Sequence, residues 1–141
     1  RFKDVTSMTP NQPDSEKFTG VIIKDEQSLK KAGEILLSKT NAQSVLITLG
    51  GDGMALFEKN NKFTKIPVFN KTDVFDVTGA GDTVVAVYTL AMAAGLSKKD
   101  AAILGNLAAS IVIRYFGCAT TTTDDLKKAL KKLNTETLIK K

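Results

Sequence analysis

The 141-residue chain contains no histidine. That absence excludes histidine acid–base chemistry, Ser-His-Asp triads and histidine-ligated metals within it, so any general base must be a carboxylate or a lysine. Cys118 is the sole cysteine, which rules out an internal disulfide and favours a reducing, cytoplasmic setting. No apolar run approaches the ~18 residues of a membrane-spanning helix, and no signal-peptide pattern is present, so no membrane partner is expected. The sequence opens on Arg1-Phe2-Lys3-Asp4 without an initiator methionine, which predicts a segment of a longer protein.

What is present suits one ordinary domain over residues 1–141, long enough to bury a core without metal or disulfide staples. The formal charge is +5. Much of it lies in Lys127, Lys128, Lys131, Lys132, Lys140 and Lys141. These read as a solvated helix face and a tail over 133–141. Without interleaved aromatics or a recognised module, they predict no nucleic-acid partner.

Hydrophobic spacing predicts the elements. Val5 to Met8 reads as a short strand. Thr9-Pro10-Asn11-Gln12-Pro13-Asp14 opens a helix, with Pro13 in its first turn, Asp14 and Glu16 near its positive end, and Gly20 closing it. Leu29, Ala32, Ile35 and Leu36 place one apolar face on a helix over Glu26–Thr40. Ser44 to Leu49 has a buried-strand pattern, and strands are expected over Met54–Glu58 and Lys62–Val68. The polar stretch Asn70-Lys71-Thr72-Asp73 leads to a helix over Gly79–Ala94, apolar nearly all round and therefore expected to be buried. Ser97 caps the next helix, with Asp100 three residues on as a variant of the capping box; one face carries Leu104, Leu107, Ala108, Ile111 and Tyr115, and Gly117 stops it. Asp124 and Asp125 open a last helix that lysines close. Helix, strands, then helices is an α/β arrangement.

Four segments carry chemistry. Thr78-Gly79-Ala80-Gly81-Asp82 starts a helix. Small residues let backbone approach a ligand closely, and first-turn amides have no partner within the helix, so the amides of Gly79, Ala80 and Gly81 suit an oxyanion or a phosphoryl group. Asp82 would stand beside it, ionised, as a weak base, which suffices where the transition state is loose. Taken alone, Gly-x-Gly is equally a glycine-rich loop with Asp82 as an ordinary helix residue. Thr48-Leu49-Gly50-Gly51-Asp52-Gly53 reads as a hairpin turn. Asn11-Gln12-Pro13-Asp14 reads as a helix start. Asn106, in the middle of an apolar helix, needs hydrogen-bond partners.

Taken together, the string Asp76-Val77-Thr78-Gly79-Ala80-Gly81-Asp82-Thr83 resembles the signature of the PfkB/ribokinase family of carbohydrate kinases. The resemblance runs from about Val5 to Leu133. It implies a ribokinase-like α/β fold, of which this chain matches the C-terminal, nucleotide-binding half of a three-layer α/β/α domain. It further implies that Asp82 is the catalytic base and that the backbone of Gly79, Ala80 and Gly81 is the anion hole. Thr48, Leu49, Gly50, Gly51, Asp52 and Gly53 match the family's Thr-x-Gly-x-x-Gly nucleotide contact, and Asn106 its adenine-pocket asparagine. Asn11 to Asp14 match an Asn-x-x-Glu element linked to Mg²⁺ and phosphates; Asp14 stands where the family has Glu, so its shorter arm would act through water. A monovalent cation, K⁺, would involve Asp76, Thr78, Val112, Tyr115, Gly117 and Thr121. Cys118 is expected as a small buried hydrophobe under the nucleotide loop.

Thr9-Pro10-Asn11, Val74 to Val84 and Gly117-Cys118-Ala119-Thr120-Thr121-Thr122 are most similar to the kinase domain of bacterial ADP-heptose synthesis enzymes. These enzymes transfer a phosphoryl group from ATP to C1 of a heptose 7-phosphate for lipopolysaccharide core sugar. The implied partners are ATP or ADP, a sugar or sugar phosphate, and the N-terminal kinase half that holds the sugar. Without that half the chain alone is expected to be inactive. Homodimerisation and a nucleotidyltransferase domain after Lys141 stay open. So do a ribose, fructose or adenosine kinase of the same family, and a non-catalytic nucleotide-binding module.

Overall fold

The structure is a computed structural model that describes residues 3–69 and 76–139, with the side chains of the last helix described as far as Leu133. Asn70-Lys71-Thr72-Asp73, Val74-Phe75, Lys140 and Lys141 fall outside the described residues. The chain divides into two compact units, Arg1–Val68 and Phe69–Lys141.

In the first unit, β1 (Ser44–Thr48), β2 (Met54–Glu58) and β3 (Lys62–Ile66) form an antiparallel sheet in that order. Register places Val45 opposite Phe57 and Ile47 opposite Ala55 on one face, and Leu46 opposite Leu56 on the other. All six are buried, which explains why β1 reads as a continuous apolar run rather than an alternating one. The strand expected to reach Val68 ends at Ile66, because Pro67 has no amide to continue the ladder. The strand expected over Val5–Met8 is reduced to isolated parallel bridges, Met8 with Val45 and Asn11 with Thr48. There Leu46 and Thr48 donate to the carbonyls of Met8 and Pro10 at 2.8 and 3.0 Å, and Pro10 can donate nothing in return.

Two helices complete this unit, α1 (Gln12–Thr19) and α2 (Glu26–Thr40). Asp25 and Ser28 form a reciprocal capping box at the start of α2, and Asn41 ends it in the left-handed region. Leu29 and Leu36 of α2 join Ala42, Val45, Ile47, Ala55 and Phe57 in the core. Burying each of the Leu, Val, Ile and Phe side chains among them contributes about 1.5–3 kcal/mol relative to exposure.

The second unit is helical: α3 (Ala80–Ala93), α4 (Lys98–Val112) and α5 (Thr123–Ile139). Ser97 caps α4 by accepting from the amide of Asp100 at 3.1 Å, and Thr122 caps α5 by accepting from that of Asp125 at 3.2 Å. Helices α3 and α4 approach closely at Gly105, where a Cβ would stand 3.2 Å from the Val84 carbonyl oxygen.

Three expectations are corrected here. The α3 helix is not buried all round. Val84, Tyr88 and Ala91 form one buried stripe, while Val85 and Leu90 are 41% and 69% exposed. The α4 helix stops at Val112, so Tyr115 lies beyond it and is exposed rather than on its buried face. The α5 helix runs through the segment read as a tail. Its lysines up to Lys132 are therefore interior to it, and its last turn holds no basic residue. Among the described residues, no helix is long and apolar enough to cross a membrane.

Candidate active site

Each unit carries part of the expected site. In the second unit, Gly79 sits in the left-handed region (φ 76°) as the N-cap of α3, a conformation that glycine adopts without a Cβ penalty. Its carbonyl accepts from both the amide and the hydroxyl of Thr83, at 3.0 and 3.1 Å. The amide of Ala80 donates back to the Val77 carbonyl at 3.1 Å, closing a turn. Of the three amides expected in the anion hole, those of Gly79, Ala80 and Gly81, that of Ala80 is engaged within this turn. Gly81 and Asp82 are the first-turn residues whose amides have no helical carbonyl four positions back. The side chain of Asp82 leaves this same turn, and the residue is exposed.

Asp76 organises the approach to this turn. Its Oδ1 accepts from the Thr78 amide at 2.9 Å. Its Oδ2 accepts from the Gly117 amide at 2.8 Å, and its own amide donates to the Ile113 carbonyl at 3.2 Å. The Thr78 hydroxyl, joined by the amides of Thr78 and Gly117, holds the Asp76 carboxyl below the usual aspartate range. Cys118 is exposed, not buried as expected. Its Sγ stands 3.6 Å from where a Cβ on Gly79 would be, so it packs beside the loop with one flank open.

Of the six residues expected around a monovalent cation, Asp76, Thr78 and Gly117 are brought together by these hydrogen bonds. Val112 is buried in α4, Tyr115 is exposed, and the Thr121 hydroxyl oxygen is enclosed with no hydrogen-bond partner among the described residues. Asn106 is 4% exposed on α4. One turn further, Ser110 donates its hydroxyl to the Leu107 carbonyl at 2.6 Å.

In the first unit, the hairpin reading of Thr48 to Gly53 holds. Gly50–Asp52 form a single 3₁₀ turn, and Leu49 donates to the Gly53 carbonyl at 2.8 Å. Gly53 has φ 88°, and a Cβ there would overlap the Ile66 carbonyl, so the turn demands glycine. A shallow cavity of about 400 Å³ is lined by Asn11, Gln12, Pro13, Glu16, Thr48, Leu49 and Gly50. Asn11 caps α1, its Oδ1 accepting from the Asp14 amide at 2.8 Å, so helix start and cavity wall coincide in one residue. Gly51 and Asp52 are exposed on the same turn without lining that cavity.

Three lining residues, Gln12, Pro13 and Glu16, were read from the sequence only as parts of a helix start. Gln12 donates to Glu16 Oε1 at 3.0 Å and to the Ile23 carbonyl at 3.2 Å, and the Ile23 amide donates to the same Glu16 oxygen at 2.9 Å. Gln12, then the Ile23 amide, holds the Glu16 carboxyl below its usual value. The Gln12–Glu16 spacing of four was the one available signal.

Among the described residues, no group of three or more Cys, Asp or Glu side chains is placed to hold a metal ion.

Residues 2–134 match the family model described as pfkB family carbohydrate kinase. The chain is 44% identical over 131 residues to the bifunctional protein HldE of Desulfatibacillum aliphaticivorans, covering 93% of this chain and 27% of that protein. It is 39% identical over 143 residues to HldE of Nitratiruptor sp., covering 99% and 30%. Among solved structures, Arabidopsis thaliana ribokinase complexed with ribose and ATP superposes with a TM-score of 0.84 at 27% identity, covering 92% of this chain and 42% of that one. The chain thus spans less than a third of these HldE proteins and less than half of the ribokinase. The fold is ribokinase-like α/β.

Proposed function

The chain belongs to the pfkB family of carbohydrate kinases, and from that premise we propose that it supplies the ATP site and the general base of a sugar kinase acting on C1 of a heptose 7-phosphate. One observation carries the chemistry: Asp82 leaves the first turn of α3 directly behind the left-handed Gly79, beside first-turn amides with no helical partner. The similarity to HldE proteins across nearly the whole chain favours the heptose substrate. The ATP seen in the Arabidopsis ribokinase favours the donor.

In this mechanism the Asp82 carboxylate takes the proton of the sugar C1 hydroxyl as that oxygen bonds to the γ-phosphorus. The bond from the γ-phosphorus to the β-phosphate oxygen breaks, and ADP leaves. The amides of Gly81 and Asp82, with the dipole of α3, take up negative charge on the transferred group. Thr48 to Gly53, Asn11 and Asn106 hold the nucleotide. Mg²⁺, when bound, neutralises phosphate charge, and Asp14 would reach it through water.

Phosphoryl transfer requires the acceptor hydroxyl in line with the γ-phosphate. The sugar contacts are assigned to chain outside these 141 residues, in an N-terminal half. The isolated chain is therefore expected to show no sugar kinase activity, and robust turnover by it would overturn that assignment. The test is ADP release by the complete kinase with ATP and, separately, heptose 7-phosphate, ribose, fructose and adenosine. Preference for heptose 7-phosphate is the expected result. Preference for another acceptor removes the heptose assignment and leaves the kinase in place.

A further inference from the structure

We propose that Asp76 is a positioning residue for phosphoryl transfer, a carboxylate clamp that locks the loop entering α3 to the turn following α4. The inference rests on the kinase function proposed above and concerns a role distinct from cation ligation.

Two of the three bonds at Asp76 cross between two loops far apart in sequence, and the third stays within its own loop. The Asp76 amide donates to Ile113, where α4 ends. Its Oδ2 receives the amide of Gly117, 41 residues away, at 2.8 Å. Its Oδ1 turns back to the Thr78 amide at 2.9 Å. Both carboxylate oxygens are thereby engaged with backbone. Gly117 has φ 75°, a left-handed conformation that presents its amide to Asp76 and leads into Cys118, which packs beside Gly79. Gly79 in turn sets where the amides of Gly81 and Asp82 point. The clamp therefore acts at two removes on the reacting group: Asp76 fixes Thr78 and Gly117, these fix Gly79, and Gly79 fixes the first turn of α3. Displacing that turn by an ångström would cost about 10²-fold in rate. Two charge-assisted bonds to amides explain why an acid, rather than serine or asparagine, suits this position.

The test uses Asp76→Asn in the complete kinase. Asparagine keeps one acceptor oxygen and sets an NH₂ against the other amide, so one tie is lost at almost constant volume. The expected result is a fall in kcat of about 10²-fold well below the melting temperature, with the sugar KM within about twofold. Added KCl should not restore the rate. Recovery of kcat at high KCl would overturn the clamp in favour of a cation ligand. Wild-type kcat in a variant that merely melts earlier would overturn it in favour of a purely structural residue. Amide hydrogen exchange gives a readout independent of turnover. In the unsubstituted protein, Thr78 and Gly117 should be protected, and in Asp76→Asn at least one should exchange faster. A Gly117 amide that exchanges as freely as an open turn in the unsubstituted protein would overturn the clamp whether or not the variant folds. Absence of any sugar phosphorylation by the unsubstituted complete kinase, with both amides protected, would remove the kinase function and leave the clamp standing.

Discussion

Gly33 lies against the ring of Phe57: a Cβ built on Gly33 would stand 2.5–2.6 Å from three atoms of that ring. This contact lets α2 settle onto the face of the sheet where Phe57 also meets Phe63, their ring centroids 5.1 Å apart. Glycine in mid-helix ordinarily costs ~1 kcal/mol against alanine, so Gly33→Ala would stabilise an isolated helix. In this fold the sign reverses, because the ring and the strand behind it must shift. Gly33→Ala is expected to destabilise by about 1–3 kcal/mol. Phe57→Leu in the same background should return part of the loss. Denaturant titration of the four proteins in this cycle checks it, and purely additive effects would show that the contact is not the cause.

Asp82→Asn removes the proposed base and leaves every backbone amide of α3 in place. Turnover by the complete kinase is expected to fall by about 10²–10⁴-fold, with ATP affinity retained because the proposed nucleotide contacts lie elsewhere. Steady-state kinetics paired with calorimetric ATP binding separates the two. Unchanged turnover would refute the assignment of Asp82.

The candidate site was legible where chemistry constrains a contiguous string. Gly79 to Asp82 could be read because a left-handed glycine, small neighbours and an acid in one helix turn have few other uses together. The turn at Gly50 to Gly53 was legible for the same reason, as was the Ser97 cap of α4. What escaped was held by partners distant in sequence. Nothing near Gly33 announces Phe57, and only the family resemblance set Asp76 beside Gly117. The exposure of Val85 and Leu90 could not be read either: an apolar composition states how much surface can be buried, not how much a single neighbour such as α4 covers. Tyr115 was misplaced because helical periodicity continues in the sequence past the point where α4 ends.

Acid should destabilise the fold through a defined set of carboxylates. The Ser28 amide and hydroxyl hold Asp25 below its usual value. The Thr122 hydroxyl and amide, with Lys128 nearby, do the same for Asp125, as the partners already described do for Glu16 and Asp76. Each native value lies below the unfolded one, so the unfolded chain binds more protons in acid. The stabilisation is complete above the unfolded values near ~4 and is lost as pH falls through the depressed native ones. The melting temperature is expected to hold steady from about pH 8 to 5 and to drop below about 4. Asp125→Asn should flatten part of that drop. A melting temperature that rises on acidification would contradict the sign.

Asn11 offers the cleanest separation of structure from function, since capping and nucleotide contact are assigned to one side chain. The cap needs only an oxygen facing the Asp14 amide, which aspartate supplies as well as asparagine does. Asn11→Ala is expected to cost about 1 kcal/mol of stability. Asn11→Asp should keep that stability, because its added charge faces the positive end of α1. The nucleotide role predicts the opposite ranking for ATP: a new negative charge beside phosphates should raise the KM for ATP more than truncation does. Melting curves and ATP kinetics on the two variants decide this, and an Asn11→Asp protein with unaltered ATP KM would leave Asn11 as a helix cap alone.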